Sequence, residues 1–180
     1  MIYLIIVLAT AARFIPHMPN LAPITALAIF SAVYLPKKQA LIIPLGARLV
    51  SDLFLGFFAW PLMIAVYASH LFGFLLGLWI KKSAEDTTSR WLKVGSAGFV
   101  SAALFFLVTN LVVFYQGYYP QTIAGQLLSY TNALPFLRGT LVGDVAYTVG
   151  LFGSFVLARY VAENYSRLIQ TAKKRFVPLI

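Results

Sequence analysis

No cysteine occurs among the 180 residues, which excludes disulfides, thiolate nucleophiles and cysteine-ligated metal. Acidic side chains are scarce, with five Asp and Glu against 14 Lys and Arg. The chain therefore lacks the clustered carboxylate pairs of acid–base catalysis. Its two histidines, His17 and His70, are far apart in sequence, so no metal-ligand spacing is present. No HExxH, no GxSxG and no phosphate-binding Gly loop followed by Lys-Ser/Thr occurs. The chain is thus expected to have no ATPase and no hydrolytic chemistry of its own, to need no cofactor, and not to be an enzyme. Charge is also sparse. Only 11% of residues are charged, whereas soluble domains carry about 25%.

What is present is apolar. Hydrophobic residues make up 61% of the chain, and a soluble fold of this size cannot hide that much apolar surface. The expected class is an all-α integral membrane protein forming one transmembrane domain over residues 1–180. Six apolar segments are read at 2–14, 21–34, 40–58, 62–80, 94–115 and 139–160. Ala9-Thr10-Ala11 looks like a leader cleavage site, but no basic residue precedes the apolar run, so the first segment is expected to be retained.

Eleven of the 14 cations fall in three groups: Lys37 and Lys38; Lys81, Lys82, Arg90 and Lys93; Arg159, Arg167, Lys173, Lys174 and Arg175. Cytoplasmic loops retain Lys and Arg. One topology satisfies all three groups, with both termini inside and six transmembrane helices. Inner loops then cover about 36–39 and 81–93, followed by a basic tail over 161–180. Outer loops cover about 15–20, 58–61 and 116–138. The net charge of +9 is read as an orientation signal and as attraction to anionic lipid, with no nucleic-acid partner. Within the last outer loop, Ile123, Ala124, Leu127 and Leu128 form one apolar helical face suited to the interface.

Ionisable groups inside a bilayer cost about 2.5–3.5 kcal/mol each on insertion scales, so each needs a partner or a wet cavity. Arg48 and Asp52 are spaced i, i+4 and are expected to neutralise one another, with contact between Asp52 and a ligand as the alternative. Asp144 is expected to pair with Arg138 or Arg13. His70 reads as a hydrogen-bonded packing residue. Polar and aromatic groups gather in the outer half: His17, Asn20, Asp52, Trp60, Asn110, Tyr118, Tyr119, Asn132, Arg138 and Asp144. This asymmetry predicts a pocket open to the outside. Small residues recur every four positions, at Ser69, Gly73 and Gly77 and again at Ala146, Gly150, Ser154 and Ala158. Such stripes allow close helix approach, either within the chain or against a second membrane protein.

Residues 15–56, IPHMPNLAPITALAIFSAVYLPKKQALIIPLGARLVSDLFLG, resemble the first half of substrate-binding S components of energy-coupling factor vitamin transporters. The matching features are Pro16 and Pro19-Asn20, the alanines from Ala22 to Ala32, Pro36-Lys37-Lys38, and Asp52 with Gly56. Tyr118-Tyr119-Pro120-Gln121-Thr122, Ala133-Leu134-Pro135-Phe136, Gly143-Asp144 and Leu151-Phe152-Gly153 extend the likeness to an uncharacterised S-component-like group of small bacterial membrane proteins. The resemblance implies a six-helix S-component-like bundle in the bacterial cytoplasmic (inner) membrane. It further implies a vitamin-like substrate held near the outer surface, with a membrane scaffold subunit and ATPases as partners. The family docks through an alanine pair on the first helix. Here Ala9 is followed at that spacing by Arg13, and the alanine pairs lie in the second segment. Some relatives act as solitary transporters, for example of a corrinoid whose cobalt a cysteine ligates. In this cysteine-free chain His17 would be the nearest substitute.

Three readings follow. In the first, the chain is a substrate-binding transport subunit in which His17, Asn20, Trp60, Tyr118 and Tyr119 cover a micronutrient and Asp52, Asn110 and Asp144 orient it. In the second, it is a membrane scaffold or assembly subunit with no small-molecule ligand. In the third, it is a small lipid-acting enzyme that would use Asp52 and His70.

Overall fold

A computed structural model describes residues 1–15, 22–83 and 86–176. The described residues are mostly helical, with short connections, and contain no strand. Helix α1 spans Ile2–Ala11 and tightens into a 3-10 turn over Ala12–Phe14. It is followed by α2 (Ile24–Tyr34), α3 (Lys37–Leu55), α4 (Trp60–Ser83), α5 (Thr87–Val113) and α6 (Ile123–Phe176).

Local chemistry sets these boundaries. Pro23 stands at the start of α2, and Pro36 separates it from α3. Proline tolerates a helix start but forces the preceding Leu35 into extended backbone. Gly56 ends α3 at φ +98°, a left-handed conformation that favours glycine. Asp86 caps α5 by accepting a 2.9 Å hydrogen bond from the Ser89 backbone N–H. The Ser89 hydrogen bonds hold its carboxyl below the ordinary carboxylate range.

Helix α2 is the axis of the bundle. Every residue from Ile24 to Val33 is buried, and α2 touches all five other helices. At about 1.5 Å per residue its 11 residues reach only roughly 16 Å, against a hydrocarbon core of about 30 Å. It is therefore too short to cross such a core by itself, and its apolar surface is buried against the other helices. Phe30 and Tyr34 meet Phe152 and Phe155 of α6, with ring centroids 4.2–5.8 Å apart. Close backbone approach sets α4 against α2. A Cβ at Gly77 would strike the Ile29 carbonyl oxygen and come within 2.6 Å of Ala32 Cβ. The Ser69, Gly73 and Gly77 stripe is therefore used inside the chain. The α6 stripe is not used in this way at Gly150, where a Cβ would meet nothing within 4 Å.

Among the described residues, three helices are long and apolar enough to cross a membrane: Trp60–Lys82, Thr87–Tyr118 and Ile123–Arg167. Their outward surface carries large apolar side chains such as Ile64, Phe99, Val142 and Leu157, which suits a membrane protein. The stretches Ile2–Phe14 and Ile24–Tyr34 are shorter apolar helices. Helix α3 mixes apolar residues with Lys37, Lys38, Gln39, Arg48 and Asp52.

Several boundaries differ from expectation: α4 runs on to Ser83 and α5 starts at Thr87, both within the expected inner loop 81–93, and α6 extends beyond 139–160 at both ends. The stretch 116–138 is not an open loop, because α6 begins at Ile123 and continues through Pro135. A proline within a helix forfeits one backbone hydrogen bond, and the flanking residues are otherwise good helix formers. Ile123, Leu127 and Leu128 stay exposed on α6 as an apolar face. At 54 residues α6 is about 80 Å long, well beyond a single bilayer core.

Candidate functional site

A cavity of about 390 Å³ lies where the C-terminal half of α5 meets the starts of α4 and α6. That volume falls in the range of about 300–1,000 Å³ typical of small-molecule sites. Its apolar walls are Phe58, Leu62, Val66, Phe105, Phe106, Val113, Ala133 and Phe136. Its polar groups are Arg48, Thr109, Asn110, Tyr119, Ser129, Asn132 and Thr140. The rim is shaped by a π-helical turn over Phe114–Tyr118, in which Gly117 sits at φ +84°. Gln121 Nε2 closes the turn by donating to the carbonyls of Phe114, at 2.8 Å, and Tyr119, at 3.1 Å. This reversal carries Tyr119 to the cavity, where Asn132 Nδ2 donates to its hydroxyl at 3.5 Å. Asn110 Nδ2 donates to its own helix, at the Phe106 carbonyl.

Behind the cavity lies a buried ionic cluster. Asp52 is 1% exposed. Its Oδ1 accepts from Arg13 Nη2 at 2.6 Å and its Oδ2 from Arg48 Nε at 2.7 Å. The Tyr67 hydroxyl also donates to Oδ2, at 3.1 Å. Arg13 Nη1 donates to the Ser51 hydroxyl and to the Arg48 carbonyl. The Arg48 guanidinium carbon lies 5.7 Å from the Phe58 ring centroid and 6.0 Å from that of Tyr67, within cation–π reach. The Arg48–Asp52 pair is one-on-one by spacing, but the fold makes it a three-member cluster by bringing the turn after α1 against α3.

Asp144 sits elsewhere. It is 2% exposed and hydrogen-bonds to Thr25 of α2, and its Oδ2 has no partner among the described residues. The expected pairing with Arg138 or Arg13 does not form. Arg138 is six residues from Asp144, about 120° around the helix, and lies exposed. Arg13 is committed to Asp52. His70 is buried, with Nδ1 3.3 Å from Thr25 Oγ1 and its ring near that of Phe105. Asp52 and His70 turn to different partners and make no acid–base pair.

Of the residues expected to hold a ligand, the cavity gathers Asn110 and Tyr119; Arg48, expected only as the ion-pair partner of Asp52, and Asn132 line it beside them. Asp52 stands behind Arg48. Trp60 and Tyr118 are 71% and 72% exposed and do not line it, because each side chain points off the outside of its helix end. Asp144 does not line it either. His17 and Asn20 lie outside the described residues. Phe105, Phe106, Thr109, Ser129, Phe136 and Thr140 carry no local signal in uniformly apolar sequence and emerge only from helix packing. Among the described residues no group of three or more His, Cys, Asp or Glu side chains could hold a metal ion.

Comparison with curated proteins and with solved structures finds no match. The model of a family of unknown function matches residues 1–168, nearly the whole chain. The chain belongs to that family, DUF6580.

Proposed function

We propose that this chain is a membrane-embedded substrate-binding subunit for uptake of a vitamin or similar micronutrient. The observation that carries this reading is the cavity of about 390 Å³, aromatic-walled and furnished with a few amide and hydroxyl groups beside one arginine. A site so composed binds a planar polar molecule by stacking and hydrogen bonding. Binding without catalysis suits it, since no acid–base pair faces the cavity.

The bundle is read as six crossings with both termini inside, in the bacterial inner membrane. The Lys and Arg clusters support that orientation, which puts the cavity toward the outer surface. Tyr119 and the turn over Phe114–Tyr118 then lie at its mouth. Inward release is assigned to partners, a membrane scaffold and ATPases, or to a solitary mode of transport. The resemblance to S components supports this assignment.

The test is mass spectrometry of small molecules extracted from detergent-purified protein, with Ala133→Trp as the comparison because its ring fills the cavity. A stoichiometric compound present in the native chain and lost in the variant is expected. An empty native chain that instead copurifies with other membrane subunits would replace this reading with the scaffold one.

A further inference from the structure

The cluster behind the cavity is not electrically balanced. Two guanidiniums, Arg13 and Arg48, face one carboxylate, Asp52, and all three are largely buried, with side chains 8%, 11% and 1% exposed. Arginine does not shed its proton in proteins, so one positive charge persists there. Asp144 makes no ion pair with either arginine and is bonded instead to Thr25 of α2. Arg48 meets Asp52 through Nε alone, and its terminal nitrogens make no hydrogen bond among the described residues. Arg48 also lines the cavity. A second unsatisfied group lines the same cavity: the Ser129 hydroxyl, in a residue 2% exposed, has no partner among the described residues. Aromatic rings form much of the remaining wall.

From this geometry we infer that the ligand is a small aromatic carboxylate, whose anionic group the terminal nitrogens of Arg48 bind and whose ring lies among Phe105, Phe106 and Phe136. The inference rests on the binding-subunit reading and narrows its substrate class. A guanidinium fork matches a planar carboxylate, and an anion there brings the buried cluster to neutrality. Asp52 acts as a positioning residue that holds Arg48 by its Nε, so the outer edge of the fork turns to the cavity.

The experiment uses matched acids and amides: 1-naphthoate with 1-naphthamide, and indole-3-acetate with indole-3-acetamide. The full chain is placed in phosphatidylcholine nanodiscs and titrated calorimetrically. The acid of a pair is expected to bind at least about tenfold more tightly than its amide, the scale of one charge-assisted hydrogen bond. In Arg48→Gln the acid should bind no better than the amide, and Arg48→Lys should restore part of the preference. The acid–amide contrast needs only the native chain, so it decides the matter even if a variant fails to fold. Equal binding of acid and amide overturns the inference and leaves the pocket reading standing. If no probe binds, the copurified compound decides: a carboxylate supports the inference, and an uncharged compound overturns it. If nothing binds and nothing copurifies, both readings fall. Loss of the acid preference when phosphatidylglycerol is added to the nanodiscs would assign Arg48 to a lipid headgroup and overturn the soluble acid.

Discussion

Asp52 holds Arg13, Arg48 and Tyr67 at once, so the three partners do not depend on it equally. Asp52→Asn would leave two buried guanidiniums with no carboxylate. Breaking a buried pair in this way costs about 3–5 kcal/mol. Arg48→Gln leaves Asp52 bonded to Arg13 at 2.6 Å and makes the cluster neutral, so its cost should be no more than about 1–3 kcal/mol. Unfolding midpoints of the two variants in the same detergent would separate them. Equal losses would mean that Asp52 is not the hub of the cluster. The Arg48–Asp52 pairing was legible from i, i+4 spacing alone. Arg13 was not assigned to it, because it lies 39 positions from Asp52 and only the packing of α1 against its neighbours brings them together.

At the scale of elements, the close pairing of α2 with α4 depends on missing side chains. In lipid there is little hydrophobic drive between helices, so tight backbone approach carries more of the association. Gly77→Ala would push a Cβ into the Ile29 carbonyl and Ala32. Overpacking of that kind costs about 1–3 kcal/mol. Gly150→Ala meets nothing within 4 Å and should gain roughly 0.5–1 kcal/mol in helix propensity. Opposite shifts in unfolding midpoint are expected for the two, and a Gly77 variant as stable as the native chain would refute the close approach. Both glycines belong to four-residue stripes in the sequence. The stripe marks where approach is sterically allowed, and it does not say which neighbour comes, because lipid and protein both accept a small apolar surface.

For the whole molecule, orientation is the open physical quantity, and the lack of cysteine makes it accessible. Single cysteines placed at Lys38 and Arg159 should react with a membrane-impermeant maleimide only after cells are permeabilised. Cysteines at Trp60 and Tyr118, both strongly exposed, should react in intact cells. Labelling of all four from outside, or the reverse pattern, would discard the topology with both termini inside. An outer placement of Tyr118 also puts the π-helical turn and the cavity mouth on the side from which a nutrient arrives.

The sequence by itself determined the class of the protein. Hydropathy and charge sums are properties of composition and need no partner residues, so helical apolar segments and their charged borders were readable in one dimension. The break at Pro36 was readable in the same way, whereas the helix ends at Pro23, Gly56 and Asp86 fell away from the segment borders read from hydropathy. Tertiary structure decided the rest: that an 11-residue α2 is the buried axis, that Asp144 turns to Thr25 rather than to an arginine, and that six unmarked Phe, Ser and Thr side chains face one cavity. The reason is physical. A helix apolar on every side gives periodicity no contrast between its lipid face and its core face. Only the positions of the neighbouring helices distinguish the two, and with them the residues that can meet a ligand.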